Sequence, residues 1–334
     1  MRKIAKIAAA GALIALAASC APQKIAVTAH RGFWKCEEAG YAENSIKSLE
    51  LAQQNGLWGS EFDVHITSDL VMLVHHDADI DGMCIWDHDY ADFKDCRLKN
   101  GEKIPTLDEY LTQGEKSKKT VLVFELKQQI DKAHEDYMVD QSVKALKEHG
   151  LYSPKRVIFI SFSLNICERL AALCPGFTVQ YLGDDKSPEE LAGLGINGID
   201  FHYKVFAKNP TWFKQARDNK MSVNCWTVNK EKDIQSMIDL GVDCITTNEP
   251  MLTREKLGKR EKLSDVANGI SEFKLSPDQS SLIYISTIKN SVLQTPADSD
   301  PALDKAQAYT TEDLMYRHWD HWVTDIPRSY VAPL

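Results

Sequence analysis

The chain has 334 residues, of which 43% are hydrophobic and 26% are charged, and its formal net charge is -9. These values are typical of a soluble globular protein, and the length allows one large domain with an appendage or two domains. The acidic balance argues against general nucleic-acid binding and gives no overall attraction for an anionic substrate.

The first twenty residues have the pattern of a secretory signal. Basic residues lie within residues 2–6, residues 7–16 form an apolar run, and small residues at 17–19 precede Cys20. The apolar run is shorter than the ~20 residues that a transmembrane helix needs. The pattern resembles a bacterial lipoprotein signal, so we expect an exported protein, anchored through a lipidated Cys20 to a bacterial membrane and facing the periplasm or the cell surface. An ordinary cleaved signal with an incidental cysteine is the alternative.

From residue 25 onward, short apolar runs alternate with amphipathic segments. The runs predict strands at Ile25–Ala29, Gly59–Ile66, Val71–His75, Val121–Leu126, Val157–Ser161, Thr178–Leu182, Gly198–His202, Ser222–Val228 and Cys244–Thr247. The amphipathic segments predict helices at Glu43–Asn55, Leu107–Gln113, His134–His149, Leu164–Leu173, Thr211–Asn219 and Glu231–Leu240. Such alternation indicates a parallel sheet covered by helices.

About eight strand–helix units remain if two of the strands form one hairpin. Eight units over roughly 230 residues predict an α/β fold of the (β/α)8 TIM-barrel type, for which about 250 residues are typical. A doubly wound open sheet is the alternative, but no glycine-rich phosphate loop follows the first strand.

The hairpin spans residues 61–76 and carries carboxylate and imidazole side chains of the kinds found in active sites. A turn at Ser68-Asp69 or at Asp69-Leu70 gives an even-numbered loop. Because strand side chains alternate with period two, either loop places Glu61, Asp63 and His76 on one face, whereas an odd loop does not. We therefore expect an even-numbered loop.

Charged residues also end the other apolar strands. His30-Arg31-Gly32 follows the first strand and Glu125-Leu126-Lys127 ends the strand after the hairpin. Active residues of TIM barrels lie at the C-terminal ends of strands, so these side chains converge on one mouth. The simpler interpretation gives these residues only structural roles. His30 would then be a structural histidine, Glu61 and Asp63 would form a salt-bridged rim, and Glu125 and Lys127 would pair with each other.

The types of these residues suit the cleavage of a phosphodiester. Three carboxylates, from Glu61, Asp63 and Glu125, fit Mg²⁺ or Ca²⁺ better than zinc. The two histidines, His30 and His76, can act as general base and general acid. Arg31 and Lys127 offer positive charge to a phosphate or to an internal ion pair.

The joint set of motifs resembles the glycerophosphodiester phosphodiesterase family over about residues 24–255. The matching elements are His30-Arg31-Gly32, Glu43-Asn44-Ser45, Glu61-Phe62-Asp63-Val64, His76-Asp77, the run from Ile104 to Glu109, Glu125-Leu126-Lys127, Trp226-Thr227-Val228-Asn229 and the run from Thr246 to Pro250. The chain departs from the family pattern at Ala42, often a proline, at Leu70, usually a glycine, and after Asp77, where an arginine usually follows.

The resemblance implies a divalent cation, Mg²⁺ or Ca²⁺, and hydrolysis of glycerophosphodiesters to glycerol 3-phosphate and an alcohol. It implies that His30 and His76 are the acid–base pair and that three carboxylates hold the cation. It further implies substrate contacts, with Glu43 also a possible cation ligand. The implied cation ligands are Glu61, Asp63 and Glu125, and the implied substrate contacts are Arg31, Glu43, Lys127 and Trp226.

The last part of the chain carries a second resemblance. Residues 270–278 and 311–322 resemble the opening of the propeller domain of dipeptidyl-peptidase or prolyl-oligopeptidase-like proteins, over only about residues 265–334. A fragment of a propeller blade cannot bury a core alone, so no peptidase activity follows. The expected organisation is a signal at 1–19, a barrel at 20–257, and a linker with a partial propeller-like tail at 258–334.

Two other functions stay open beside glycerophosphodiester hydrolysis. One is a related phosphodiesterase that acts on an intact or unusual lipid head group, and the other is a non-catalytic binding lipoprotein that keeps the barrel. The nucleophile also stays open between water and a hydroxyl of the substrate itself.

Overall fold

The computed structural model describes residues 25–258 and, further along the chain, three strands within 272–275, 281–289 and 325–333. Contacts divide the chain into one unit that ends at Lys259 and a second that begins at Arg260. The signal-like residues 1–19, Cys20 and the propeller-like residues 311–322 lie outside the described residues. Among the described helices, none combines the length and the apolarity that crossing a bilayer requires.

Eleven strands are described in the first unit. They are β1 (Ala26–Ala29), β2 (Gly59–Ile66), β3 (Met72–Val74), β4 (Asp79–Ile80), β5 (Met83–Cys84), β6 (Val121–Leu126), β7 (Val157–Ser161), β8 (Thr178–Tyr181), β9 (Gly198–His202), β10 (Ser222–Trp226) and β11 (Cys244–Thr247). β1, β2 and β6 to β11 pair in parallel, and β1 closes the circle by pairing with both β11 and β2. The predicted TIM barrel is therefore confirmed.

Helices follow most of the barrel strands and cover the outside of the barrel. They are α1 (Ile46–Gln54), α2 (Tyr90–Phe93), α3 (Leu107–Gly114), α4 (Lys132–Glu148), α5 (Leu164–Leu173), α6 (Pro188–Gly193), α7 (Val205–Lys208), α8 (Trp212–Asp218), α9 (Glu231–Leu240) and α10 (Pro250–Gly258). Short helices α2, α6 and α7 have no counterpart among the predicted segments, because four to six residues are too few to show a helical period.

Alternation along the strands separates the packing residues from the site residues. Phe62, Phe124 and Phe159 are fully buried and belong to the main hydrophobic core, with the rings of Phe62 and Phe124 stacked at 4.6 Å. Because neighbouring strand residues point to opposite faces, Glu61 and Asp63 point to the other face of β2. The apolar residues thus anchor the strand and the acidic ones face the barrel interior.

The hairpin between β2 and β3 has a different register from the expected one. Val64 pairs with Val74, and the backbone N–H of Thr67 donates to the carbonyl of Val71 at 2.9 Å, which leaves a three-residue loop. Leu70 ends this loop with a left-handed φ of 66°. The prediction of an even-numbered loop is wrong, because leucine takes the backbone conformation that glycine usually takes in such a turn.

The odd loop does not remove the histidine from the mouth. β3 ends at Val74, and the last ladder contact is the N–H of His75 donating to the carbonyl of Asp63 at 3.0 Å. Beyond that point the chain leaves the sheet, so pleating no longer dictates where side chains face. His76 lines the same cavity as Glu61 for this reason, and not because of strand register.

Three antiparallel strands of the second unit are described. They are β12 (Glu272–Leu275), β13 (Ser281–Lys289) and β14 (Asp325–Pro333), paired in the order β12-β13-β14. A propeller blade has four strands, so the described part of this unit is smaller than one blade.

Candidate active site

Three buried carboxylates meet at the C-terminal end of β2 and β6. Asp63 is paired with Glu125 across these parallel strands, and Glu61 lies two residues earlier on the same face of β2. One oxygen from each of the three lies within 4.8 Å of the others. All three side chains are buried, so their charges cannot be screened by bulk water.

Lys127 sits among these acids and partly balances them. Its Nζ lies 2.8 Å from Asp63 Oδ1 and 2.8 Å from Glu125 Oε1. Burial raises the pKa of Asp63, but Lys127 and other partners outweigh it and hold that pKa well below its usual range. Burial raises the pKa of Glu125 to about 7, although Lys127 opposes this. Burial, with the charges of Asp63 and Glu125, raises the pKa of Glu61 well above its ordinary value.

The donor set fits a hard divalent cation. Glu61 Oε1 is buried and has no hydrogen-bond partner, so one oxygen of the group is available at the centre of the triad. Three carboxylates face a single ammonium within direct contact, and oxygen ligands of this kind suit Mg²⁺ or Ca²⁺. A buried acid with a raised pKa and an unused oxygen is the arrangement that a bound cation would relieve.

The loop after β1 brings Arg31 to the triad. Arg31 and Gly32 both have left-handed backbones, with φ of 56° and 79°. This turn lets the backbone N–H of Arg31 donate to Glu61 Oε2 at 2.7 Å. A Cβ on Gly32 would lie 2.1 Å from Ser48 Oγ, so the turn requires glycine there.

Glu43 faces Arg31 and is not one of the three clustered carboxylates. The Arg31 guanidinium makes an ion pair with Glu43. Its Nε lies 3.8 Å from Asp63 Oδ2. The next residue, Asn44, takes a left-handed φ of 56° and is 1% exposed. Its Nδ2 donates to Asp63 Oδ2 at 2.8 Å. Asn44 therefore orients one of the three acids.

His30 is held in one tautomer at the end of β1. Its Nδ1 lies 2.8 Å from Asn248 Oδ1, and the indole N–H of Trp34 donates to the same oxygen at 3.3 Å. Because that oxygen accepts from both groups, the His30 proton is on Nδ1 and Nε2 carries the free lone pair. Burial, followed by the charge of Arg31, lowers the pKa of His30 to about 4, so the ring is neutral near pH 7.

His76 is the second histidine at the mouth and is more exposed. Its Nδ1 donates to Asp77 Oδ1 at 2.7 Å, and its backbone carbonyl lies 3.1 Å from Nε2 of His65. A carbonyl only accepts, so His65 carries its proton on Nε2. Burial lowers the pKa of His65 to about 4, so this ring acts as a neutral donor that holds the His76 backbone.

A cavity of about 180 Å³ joins these groups. Its charged and ionisable lining residues include His30, Arg31, Glu61, His76, Glu125 and Lys127, and Asp200 also lines it. Its apolar lining residues are Ile160, Phe162, Leu182 and Trp226. The rings of Phe162 and Trp226 meet edge to face at 5.7 Å. The cavity thus combines charged groups with apolar side chains, which suits a ligand that has a phosphate and an organic part.

Seven of the nine residues singled out from the sequence line this one cavity, Asp63 completes the acidic cluster, and Glu43 pairs with Arg31. Asn44, Asn248 and Asp200 are polar residues of the site that had been assigned no role from the sequence. Asn44 and Asn248 lie inside motifs that the resemblance identified, so their positions were visible although their partners were not. Asp200 gives no such signal, because one acid inside an apolar strand has no recognisable spacing.

The fold and the site together define an α/β barrel whose C-terminal mouth holds a pocket lined by acidic and cationic side chains. This combination is typical of the phosphodiesterase class of barrels. The family model described as "Glycerophosphoryl diester phosphodiesterase family" matches residues 30–252, which is more than half of the chain. The chain belongs to this family, and the resemblance found in the sequence is confirmed.

Relatives and solved structures agree with this assignment. A glycerophosphodiester phosphodiesterase structure from Parabacteroides distasonis is 44% identical, covers 72% of this chain and 99% of its own, and has a TM-score of 0.69. A glycerophosphodiester phosphodiesterase of Caldanaerobacter subterraneus is 28% identical over 68% of this chain and 95% of its own length. A phosphodiesterase of Oleispira antarctica, solved with its product sn-glycerol-3-phosphate, shares the fold at 24% identity, with a TM-score of 0.59 over 70% of this chain and 97% of its own.

Short matches to another class of protein also occur. Dipeptidyl-peptidase 5 of Porphyromonas gingivalis is 41% identical over 64 residues, which are 19% of this chain and 9% of that protein. This is partial support for the propeller-like resemblance of the tail, and it carries no peptidase activity to this chain.

Proposed function

We propose that this protein hydrolyses glycerophosphodiesters to sn-glycerol 3-phosphate and an alcohol, with a divalent cation as cofactor. The observation that carries the proposal is the acidic cluster of Glu61, Asp63 and Glu125 beside two cationic side chains and two histidines in one cavity. Membership of the family and the names of the relatives support the same reaction.

The cation would be held by Glu61, Asp63 and Glu125, and when bound it would neutralise charge on the phosphate oxygens. Either Mg²⁺ or Ca²⁺ suits these oxygen ligands. Lys127 and Arg31 bind the phosphate from the same side, because both lie against the triad and line the cavity. The contacts of Arg31 with Glu43 keep its guanidinium oriented. Trp226, on the apolar side, packs against the organic part of the substrate.

The two histidines divide the proton transfers. His30 is neutral with a free Nε2, so it removes a proton from the attacking nucleophile. His76 donates Nδ1–H to Asp77, which fixes the ring and leaves Nε2 as the atom that gives a proton to the leaving alcohol. Positioned acid–base groups of this kind contribute about 10²–10⁴ in rate.

The decisive experiment measures glycerol 3-phosphate released from glycerophosphodiesters by the purified protein, before and after treatment with a chelator. We expect release that stops with chelator and returns with Mg²⁺ or Ca²⁺. His30→Ala and His76→Ala should each lower the rate by about 10²–10⁴, whereas the matched control His134→Ala, in the first turn of helix α4, should not. Absence of release with any glycerophosphodiester and either cation would reject the proposal.

The same assay separates the two other functions. Release of phosphorylated products only from intact lipids would indicate a phosphodiesterase for lipid head groups. Binding of glycerophosphodiesters without turnover would indicate a binding lipoprotein. Detection of a cyclic phosphate intermediate would identify the substrate hydroxyl as nucleophile, and undiminished cleavage of a diester that lacks the middle hydroxyl would identify water.

We also propose that the protein is exported and anchored through a lipidated Cys20. The support is the signal-like composition of residues 1–19 directly before this cysteine. Cys20→Ser should abolish incorporation of a labelled fatty acid and move the protein out of the membrane fraction. Cys36→Ser is the matched control, and retention of the label in Cys20→Ser would exclude this anchor.

A further inference from the structure

One buried acid in the cavity is not used by the acid–base and cation-binding roles above. Asp200 lies on β9, is 1% exposed, and lines the cavity together with His30 and Glu61. Its Oδ1 is buried and has no hydrogen-bond partner among the described residues. Leaving a buried polar atom unpaired is unfavourable, so an unpaired oxygen on the wall of a cavity indicates a site for a ligand.

The neighbours of Asp200 hold it in place without satisfying this oxygen. Its backbone carbonyl accepts the indole N–H of Trp226 at 2.9 Å. Asn224, directly opposite on β10, is the side chain that hydrogen-bonds the Asp200 carboxyl. Asn224 is itself fixed, because its Nδ2 also donates to Thr246 Oγ1 at 3.1 Å. The carboxyl is therefore oriented by its surroundings, with one oxygen left for the cavity.

Among the residues that the structure describes, no cationic side chain forms an ion pair with Asp200. It is not one of the three clustered carboxylates, and Lys127 contacts Asp63 and Glu125 instead. Burial, followed by the charge of Glu125, raises the pKa of Asp200 well above its ordinary value, although Asn224 opposes this. A neutral carboxyl offers one O–H donor and one acceptor, which are the two groups that a hydroxyl can pair with.

We infer that Asp200 binds a hydroxyl of the glycerol part of the substrate and makes the enzyme specific for glycerol diesters. The inference rests on the proposed function and deepens it, since it assigns the glycerol contact to β9, which lies three strands away from β1 and from β6, the strands followed by Arg31 and Lys127. The terminal hydroxyl is the one to test, because the middle hydroxyl is a candidate nucleophile and its removal would change the chemistry as well.

The experiment compares two substrates, glycerophosphoethanolamine and the matching diester of 1,2-propanediol, which lacks only the terminal hydroxyl. Ethanolamine release gives kcat/KM for both, and their ratio measures recognition of the hydroxyl. A site that hydrogen-bonds a hydroxyl rejects the analogue without it, so we expect the wild-type ratio to be at least ~10. Asp200→Leu removes this recognition, so its ratio should fall to about 1, a loss of about tenfold or more.

Two further variants make the result specific to this carboxyl. Asp200→Asn keeps one donor and one acceptor, so its ratio should stay within about threefold of wild type. Gln180→Leu is the matched control, because Gln180 is also buried in the barrel with an unpaired Oε1 but does not line the cavity, and it should leave the ratio unchanged. If Asp200→Leu does not fold, Asp200→Ala replaces it with the same expected fall.

The outcomes distinguish failure of the inference about Asp200 from failure of the proposed hydrolase function. The inference is overturned if the wild type cleaves both diesters equally well, if Asp200→Leu keeps the wild-type ratio, or if Gln180→Leu lowers the ratio as much. A wild-type protein that cleaves neither diester contradicts the proposed function instead, because the ratio then has no meaning.

Discussion

Asn248→Asp tests whether His30 is the base, because it changes the charge of one atom beside the ring. The carboxylate would sit where the amide oxygen now lies, 2.8 Å from His30 Nδ1, and Trp34 could still donate to it. An opposite charge at this range shifts a pKa by about 1 to 3. The pKa of His30, about 4 in the wild type, should therefore rise to roughly 5–7.

The consequence appears in the pH dependence of kcat/KM, which reports the pKa values of the free enzyme. A base must be neutral to act, so activity is present above the His30 pKa and is lost as the pH falls through it. With a pKa near 6, only about 10% of the ring would be neutral at pH 5, compared with about 90% in the wild type, a loss of roughly tenfold.

The matched control is Asn55→Asp, which adds the same charge at the end of α1, just before β2 begins and thus at the opposite end of the barrel. It should not change the pH at which kcat/KM falls on the acidic side of the profile. If this fall does not move to higher pH in Asn248→Asp, the assignment of His30 as the base is refuted.

Two other variants test how the site and the fold are held. Asn44→Ala removes the donor to Asp63 Oδ2 at 2.8 Å, so the cation concentration for half-maximal activity should rise about 10- to 100-fold. The control Asn55→Ala should not change this concentration. An unchanged cation requirement in Asn44→Ala would contradict the orienting role of Asn44. His149 is paired with two carboxylates that outweigh its burial and raise its pKa, so its stabilisation is complete below the ordinary pKa of about 6.5 and is lost as the pH rises through the folded-state pKa. In urea unfolding, the deficit of His149→Gln should be about 1 kcal/mol or less, larger at pH 5.5 than at pH 9, and a deficit that grows with pH would refute this reading.

Most of the barrel was predictable because its strands carry a local signal. The predicted strands Val121–Leu126, Val157–Ser161, Gly198–His202 and Cys244–Thr247 have the same bounds in the structure. Buried parallel strands read as continuous apolar runs, and each run here is bounded by polar residues. Helices α2, α6 and α7 were missed because four to six residues are too few for a period to appear. Helix α10 is not among the predicted amphipathic segments because only Pro250 and Thr253 of it are buried.

The loop between β2 and β3 shows where local reading fails. Its odd length depends on Leu70 adopting φ of 66°, a conformation for which leucine has no preference. The hydroxyl of Thr67 accepts the N–H of Val71 at 2.9 Å and helps to close the turn. Such a balance between strain and side-chain hydrogen bonds is set by the whole loop and not by residue type alone.

The barrel, the acidic and basic residues at its mouth, and membership of the family could all be predicted, because they depend on periodicity and on motifs a few residues long. The partners of those residues became visible only in the folded chain. Asn44 reaches Asp63 across 19 positions and Asn248 reaches His30 across 218. Folding also brought Asp200 to the cavity wall. Contacts between distant strands follow from barrel closure and side-chain packing, for which a single sequence carries no local signal.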